Sequence, residues 1–533
     1  MTFPWTLQRY IFREMGKTSL LAAAGLTVSL SLGGGVLNMI KLGEVTPGQL
    51  MGLMTLIIPV AAALTLPVAL LFGAAATYGR LSADNEFVAC RSSGINLHVL
   101  FLPALVLSVL AGALTFACIN FLIPRLVQNL NDFLQADVGK LIQQQLTRPK
   151  GIALGSGGRG YRISADSASI DPDDPDHILL DGIAFVEIEG RDWVRYGTAR
   201  QVSLRFDRTG GRLRVSGRMT DLSFYDRQAQ RFGELAEQIV PPNELPALVP
   251  LKIKFLNLSQ LLYYWIRPHE WHEVRDALQR VQMRWARRIL YDQLSDEWVE
   301  NDKSIVLSDE TTTCTVRSTE AYRIPRDGGI ELAHVTIEER TASRVRTCTA
   351  DRAVIETTPG NRLEDAGVRL TVYDARITLR GRTVTRAKET FGPIALPQPI
   401  LDRVTQWTPD ELFEPVAGET DPLAEERAEA RNERAQTVRR VVAAIHERSA
   451  FSVSVLTLVI LGAALGIVFR GSQAVVAFGI SFIPSLLVMV TIVTGKQLAH
   501  NAPTHGIGLM VMWTGIAIVA AVDGWLLTRV VRR

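Results

Sequence analysis

The chain reads as an α+β membrane protein with six membrane-spanning helices, three before and three after one large β-rich region that lies between the third and fourth. Three observations predict this class. Six charge-poor runs reach the roughly 20 apolar residues needed to cross a bilayer: Thr18–Ile40, Leu50–Ala76, Leu97–Ile123, Ala450–Phe469, Ala474–Thr494 and Ile507–Thr528. Together they hold a single formal charge, Asp523, although the 533-residue chain is 21% charged and 47% apolar overall. Residues 124–449 therefore have the charge density of a soluble domain, and they are punctuated by turn signals at strand-like spacing. Disorder, a coiled coil, collagen and a small disulfide scaffold are excluded, and a purely soluble enzyme does not fit.

The first run follows Arg9, Arg13 and Lys17, the flank of a signal peptide, but it is too long for one and a second span follows it closely. Orientation comes from Lys and Arg in the short loops. With the N-terminus in the cytoplasm, the inner set is Arg9, Arg13, Lys17, Arg80, Arg91, Arg470, Arg529, Arg532 and Arg533, and the outer set is Lys41 and Lys496. Both termini are thus expected inside and the large region outside, in the periplasm of a cell with two membranes. The expected divisions are 1–125 (three spans and an inner loop), 126–255 (first β unit), 256–302 (helical connector), 303–400 (second β unit), 401–449 (charged helical connector) and 450–533 (three spans).

The outer region alternates short strand signals, His177–Glu189, Val202–Asp207, Arg212–Ser216 and Leu222–Tyr225, with Asp-Gly and Thr-Gly-Gly turns. A similar order recurs further on. Tyr161-Arg162-Ile163, Gly182-Ile183, Thr198-Ala199-Arg200 and Leu222–Asp226 have counterparts in Tyr322-Arg323-Ile324, Gly329-Ile330, Thr349-Ala350-Asp351 and Leu370–Asp374. Either the unit is duplicated in tandem or β-rich sequences resemble one another by chance. The Arg-rich stretch Arg275–Arg288 is interspersed with acids, as is Glu425–Arg439, and both read as charged helical faces rather than nucleic-acid sites.

Metal and ATP chemistry find no motif. Eight His and four Cys are scattered without CxxC or HExxH spacing. Cys314 and Cys348 fall in the second β unit, outside, where a disulfide can persist, and spacing alone leaves their pairing open. Cys90 and Cys118 fall in the inner loop and in a span. There is no G-x-x-x-x-G-K-[ST] loop, and Gly495-Lys496 lacks both the upstream glycine and the following hydroxyl. Energy must come from a partner or from an ion gradient. Asp523, near the inner end of its run, is either an interfacial charge or a proton relay.

The inner loop Tyr78–Ile95 is the most informative segment. Ser82 is expected to N-cap a short helix with Asp84 and Glu86 in its first turn and Arg91 in its last, stopped by Gly94. Phe87 and Val88 are expected to form an apolar edge suited either to a groove on a cytoplasmic partner or to mere connection. The pattern Y-G-R-L-x-x-D-N-E-x-x-A-x-R-x-x-G between two spans resembles the signature of the LptF/LptG (YjgP/YjgQ) family of lipopolysaccharide-export permeases. The likeness extends to the two groups of three spans, the outer β region and Glu447-Arg448 entering a fourth span with Leu461-Gly462 and Leu465-Gly466.

That resemblance implies a transport subunit and not an enzyme. It implies a pair of permease subunits in the inner membrane, driven by a separate cytoplasmic ABC ATPase dimer that binds the ATP, so that no cofactor sits in this chain. Asp84, Glu86, Phe87 and Arg91 would then be coupling positions. A periplasmic β-jellyroll would hand lipopolysaccharide or a related lipid to a periplasmic bridge of similar folds. Lys41, Arg125 and Lys496, at the outer span ends, would attract lipid phosphates or serve as interfacial anchors. The chain departs from the family in its outer region, which is about twice what one jellyroll needs. The competing expectation is a scaffold or sensor that displays an outer β domain without transporting anything.

Overall fold

The computed structural model describes residues 4–36, 47–93, 95–136, 152–156, 159–170, 174, 177–189, 192–207, 214–227, 231–244, 252–308, 312–323, 329–341, 344–358, 367–379, 382–414, 423–469 and 474–532. The chain divides into two compact units, Met1–Tyr263 with Arg439–Arg533, and Tyr264–Val438. Among the described residues six helical stretches are long and apolar enough to cross a membrane: Trp5–Gly33, Ile57–Ala83, His98–Asn129, Ala424–Val468, Phe482–His500 and His505–Arg529.

They belong to helices α1 (Trp5–Leu30), α2 (Pro47–Ala83), α4 (Leu97–Ala117, prolonged through a π-turn by α5, Ile123–Ala136), α10 (Ala424–Val468), α11 (Ala474–His500) and α12 (His505–Arg532). A short helix, α3 (Glu86–Ser92), lies between α2 and α4. Pro59 and Pro67 sit inside α2, as lipid-embedded helices permit when neighbouring helices satisfy the freed carbonyls. The fourth span and the charged stretch before it, expected as separate pieces, form one helix of 45 residues, roughly 67 Å long.

Small residues set the helix contacts. A Cβ on Gly462 would lie 2.6 Å from the Leu71 carbonyl oxygen, and one on Gly466 would lie 2.7 Å from that of Ala75 and 2.9 Å from the Gly79 nitrogen. This small-xxx-small pair lets α10 lie backbone to backbone on α2. Gly508 and Gly495 do the same between α11 and α12, where a Cβ on Gly508 would meet the Ala499 nitrogen at 2.3 Å.

The region between the third and fourth spans contains two antiparallel sheets. The first comprises β1 (Ile152–Ser156), β2 (Arg159–Ile170), β3 (His177–Glu189), β4 (Asp192–Asp207), β5 (Arg214–Asp226) and β6 (Arg231–Glu244), paired in chain order. After α6 (Leu258–Ile266) and α7 (His272–Glu300) comes the second, from β7 (Ser304–Ser308), β8 (Thr312–Arg317), β9 (Glu320–Arg323), β10 (Ile330–Thr341), β11 (Arg344–Thr358), β12 (Gly367–Leu379) and β13 (Arg382–Ala395). Its order is β13-β12-β11-β10-β8-β7, with β9 also on β10. Both are meanders. The Greek-key crossing that characterises a jelly roll does not occur among the described strands.

The two sheets share an unusual crease. In β3 the inward residues are Ile178 and Leu180, then Ile183 and Phe185; in β4 they are Ala199, then Val202; in β5 they are Met219, then Leu222. The alternation changes phase at Gly182 (φ 63), Arg200 and Asp221 (φ 51), which pairing places in one row. One extra residue per strand, as in a β-bulge, bends the sheet there. At Gly182 a Cβ would lie 2.1 Å from an Asp166 carboxylate oxygen. The second sheet repeats the device with His334 (φ 49), Asp351 and Asp374 (φ 54) on β10, β11 and β12. Thr198-Ala199-Arg200 and Thr349-Ala350-Asp351 occupy equivalent places on β4 and β11. Gly329-Ile330 and Leu370–Asp374 lie on the equivalent strands, but offset along them from the residues they resemble.

Residues 256–302 are more than a connector. Ala286, Leu290, Tyr291 and Leu294 of α7, with Ile400 and Val404 of α8 (Gln398–Thr405), close the inner face of the second sheet around Phe391, Ile355 and Leu332. The edge strands β7 and β13 of that sheet approach each other, and the Tyr291 hydroxyl accepts from the Thr357 N–H at 3.2 Å. The cluster on the first sheet consists of strand residues alone.

The Cys314–Cys348 disulfide is not formed. Cys314 lies opposite Glu339 and Cys348 opposite Ile337, on the two sides of β10. Two strand spacings separate them by about 10 Å, beyond the roughly 7 Å that a disulfide can span. Both thiols are buried, and burial pushes that of Cys348 up to about 11. A thiol with a raised pKa stays protonated below that value. Alkylation of the native protein should therefore not accelerate as pH passes the ordinary thiol range near ~8.5, and both residues should label in SDS without reductant. Labelling that requires reductant would establish the disulfide.

Candidate coupling site between the second and third spans

The loop after α2 folds differently from the expected Ser82 cap. α2 continues through Ala83, and Ser82, 3% exposed, donates its hydroxyl to the Ile467 carbonyl at 3.2 Å. Asp84 and Asn85 form the turn, with Asn85 at φ 57, a conformation Asn tolerates. The Ala89 N–H then donates to the Asn85 carbonyl at 3.0 Å, which begins α3. The Asn96 side chain caps α4 by accepting from the His98 N–H at 3.1 Å.

Phe87 points into the protein, contrary to the expected apolar edge. It is 5% exposed and lies 6.0 Å from the Tyr78 ring, which also stacks on Phe101 at 5.6 Å. Tyr78 is itself fully buried and donates its hydroxyl to the Leu100 carbonyl at 2.7 Å. The ring thus fixes α3 to α2 and α4. Leu7, Ile11, Leu81, Glu86, Cys90 and Leu100 line a shallow cleft beside it. Burial, reinforced by Glu86, holds the Cys90 thiol above its ordinary range. The N-terminal half of α1 is tied in by Arg80–Glu14 at 2.7 Å and by Gln8, whose amide donates to the Val99 carbonyl at 2.7 Å.

The face left open carries Asp84, Val88 and Ala89, with Glu86 half-buried at its margin. Val88, not Phe87, is the exposed apolar residue, at 48%. Arg91 belongs to α3, but its side chain is outside the described set. Lys41 lies outside the described residues, and Arg125 is exposed on α5. Lys496 is no free cation: its ammonium pairs with both oxygens of Glu447, at 2.7 and 2.9 Å. Among the described residues no group of His, Cys, Asp or Glu could hold a metal.

The residue that sequence analysis undervalued is Arg448. It is 5% exposed and donates to the Leu256 carbonyl at 2.8 Å, the Lys254 carbonyl at 3.1 Å and the Asn120 amide oxygen at 3.3 Å. One guanidinium thereby joins α10, the segment after the first sheet and the end of the third span. The Glu447-Arg448 pair is visible in the sequence, but partners 192 to 328 residues away are not.

Phe87→Ala removes a buried ring, which costs about 3 kcal/mol in a packed core, and should lower the melting temperature of the detergent-solubilised protein. Val88→Ala on the exposed side should change stability by no more than about 0.5 kcal/mol. Equal losses in the two variants would show that Phe87 is not a seated residue.

Among curated proteins none matches the chain. The family described as lipopolysaccharide export system permease LptF/LptG matches it twice, over residues 9–291 and 283–529. Those two matches run through both groups of spans and both creased sheets, and the chain belongs to the LptF/LptG lipopolysaccharide export permease family.

Proposed function

We propose that this chain is the permease subunit of an ABC-type exporter that draws lipopolysaccharide, or a related anionic glycolipid, from the inner membrane. A separate cytoplasmic ATPase dimer binds and hydrolyses the ATP. A second LptF/LptG-like permease completes the membrane portion, and the creased sheets pass lipid to periplasmic bridge proteins. Both termini face the cytoplasm, and residues 124–449 lie in the periplasm, in keeping with the excess of Arg and Lys in the inner loops.

The observation that carries this proposal is the construction of α3. Its inner face is locked to two spans through Phe87, Tyr78 and Leu100, while Asp84, Val88 and Ala89 remain exposed on the opposite side. A helix so mounted transmits a push from a bound partner to the spans instead of bending away. Asp84, Glu86 and Arg91 supply the polar contacts to the ATPase groove, and Phe87 acts inwardly as the anchor. Lys41 and Arg125 attract lipid phosphates at the outer span ends, a role for which Lys496, neutralised by Glu447, is unsuited.

Glu86→Arg tests the assignment. Charge reversal at the margin of the exposed face should abolish copurification with the ATPase and ATP-dependent glycolipid release, while membrane insertion continues. Normal release by this variant would remove α3 from the coupling pathway, and a wild-type chain that copurifies with no ATPase would leave the scaffold as its function.

A further inference from the structure

The outer face of the first sheet carries a row of rings that neither its core nor the coupling site uses. Arg162, Val186, Tyr196, Tyr225 and Phe232 stand side by side across β2 to β6, on the face opposite the buried cluster. An irregularity in the pairing of β3 with β4 brings Trp193 to the same side. Its ring lies 5.4 Å from that of Tyr196 and 6.3 Å from that of Tyr225, and the two tyrosines are 5.7 Å apart. Trp193 is 39%, Tyr196 46% and Phe232 65% exposed. The Arg227 guanidinium sits 5.1 Å over Trp193, and Arg162 is exposed at the β2 end of the row.

The fold does not require these rings. Aligned on the crease, the corresponding row of the second sheet is Glu338, Thr347, Thr378 and Thr383, paired in the same way and without an aromatic residue. The next row of the first sheet is Ser164, Ala184, Thr198, Ser223 and Glu234, whose first four side chains are small. The result is an aromatic strip, its rings tilted 36–67° to one another, beside a low shelf rich in hydroxyls, with one arginine over Trp193 and another at the β2 end. An exposed strip of this kind marks an interaction site. Protein partners concentrate their binding on anchors buried in pockets, whereas Trp193, Tyr196 and Phe232 stand exposed. A sugar ring presents a flat C–H face to an aromatic ring and hydroxyls to Ser and Thr, and its phosphates suit arginine.

We propose that this strip binds the phosphorylated saccharide of the exported glycolipid. The source of the sugar rests on the proposed export function; the recognition chemistry rests on the strip itself. The test uses the full chain in detergent and, as probe, the phosphorylated core oligosaccharide released from lipopolysaccharide by mild acid, titrated calorimetrically. Saturable binding is expected. It should weaken at least tenfold in the Trp193→Ala/Tyr196→Ala double variant, survive Tyr196→Phe, and weaken also in Thr198→Trp, which obstructs the shelf without entering the core. Absence of saturable binding to the wild type, equal binding by the double variant, or equal competition by inorganic phosphate would overturn the proposal. A photoreactive residue at Tyr196 should capture glycolipid during ATP-driven release, and capture of protein alone would overturn it. Normal glycolipid release with no sugar binding refutes the strip and spares the export function. Sugar binding in a chain that releases no glycolipid supports the strip and refutes export.

Discussion

The close approach of α10 to α2 is the constraint on which the membrane portion depends. Apolar side chains gain little from leaving lipid for one another, so helices associate there through packing and polar contacts. Gly462 and Gly466 provide that packing by removing every side-chain atom between two backbones, so that Leu71, Ala75 and Gly79 meet α10 on successive turns. One residue beyond Gly466, the Ile467 carbonyl receives the Ser82 hydroxyl, which positions the end of α2 and hence the turn into α3. Near the middle of the helix Arg448 is held by carbonyl and amide oxygens. From Arg448 to Gly466 is roughly 27 Å of helix, close to the ~30 Å thickness of a hydrocarbon core. The same helix is therefore pinned at two points about one hydrocarbon thickness apart, once by shape and once by charge.

The two pins differ in physical character. The glycine contact has no polar group to satisfy, and any side chain there would force the helices apart. The Arg448 contact places a cation among neutral dipoles, a costly burial unless several acceptors converge. A planar guanidinium can reach three of them at once, whereas a lysine ammonium offers no fixed fork. Lys496, not far along the chain's last hairpin, finds a full counter-charge in Glu447.

Much of the architecture was legible in the sequence, because bilayer thickness and strand alternation leave marks over many residues. All six apolar runs overlap a membrane-length helix. What escaped was nonlocal. Ser82 carries the local signature of a cap, but its acceptor is 385 residues away. Phe87 sits among polar neighbours, and only the Tyr78 ring across the turn shows that it is buried. Cys314 and Cys348 share a face and a domain, and the strand between them could be seen only once pairing was known. The crease misled in a more instructive manner. Strand signals at Val202 and Leu222 begin just past Arg200 and Asp221, because a charged residue that breaks alternation resembles a turn. In the structure β4 and β5 run through those positions unbroken.

The crease also governs how such a domain can change over generations. Within one strand, losing the extra residue would turn every side chain on one side of it inside out, exposing Ile183 and Phe185 or burying their polar neighbours. Adjacent strands would then disagree about which face is the core. Small insertions and deletions are accordingly filtered out unless they strike several strands together. The change left open is the copying of a whole sheet with its crease intact, followed by free divergence of the solvent face. The region between the two groups of spans has that form: one bend kept in two sheets, with rings facing solvent on one and threonines on the other.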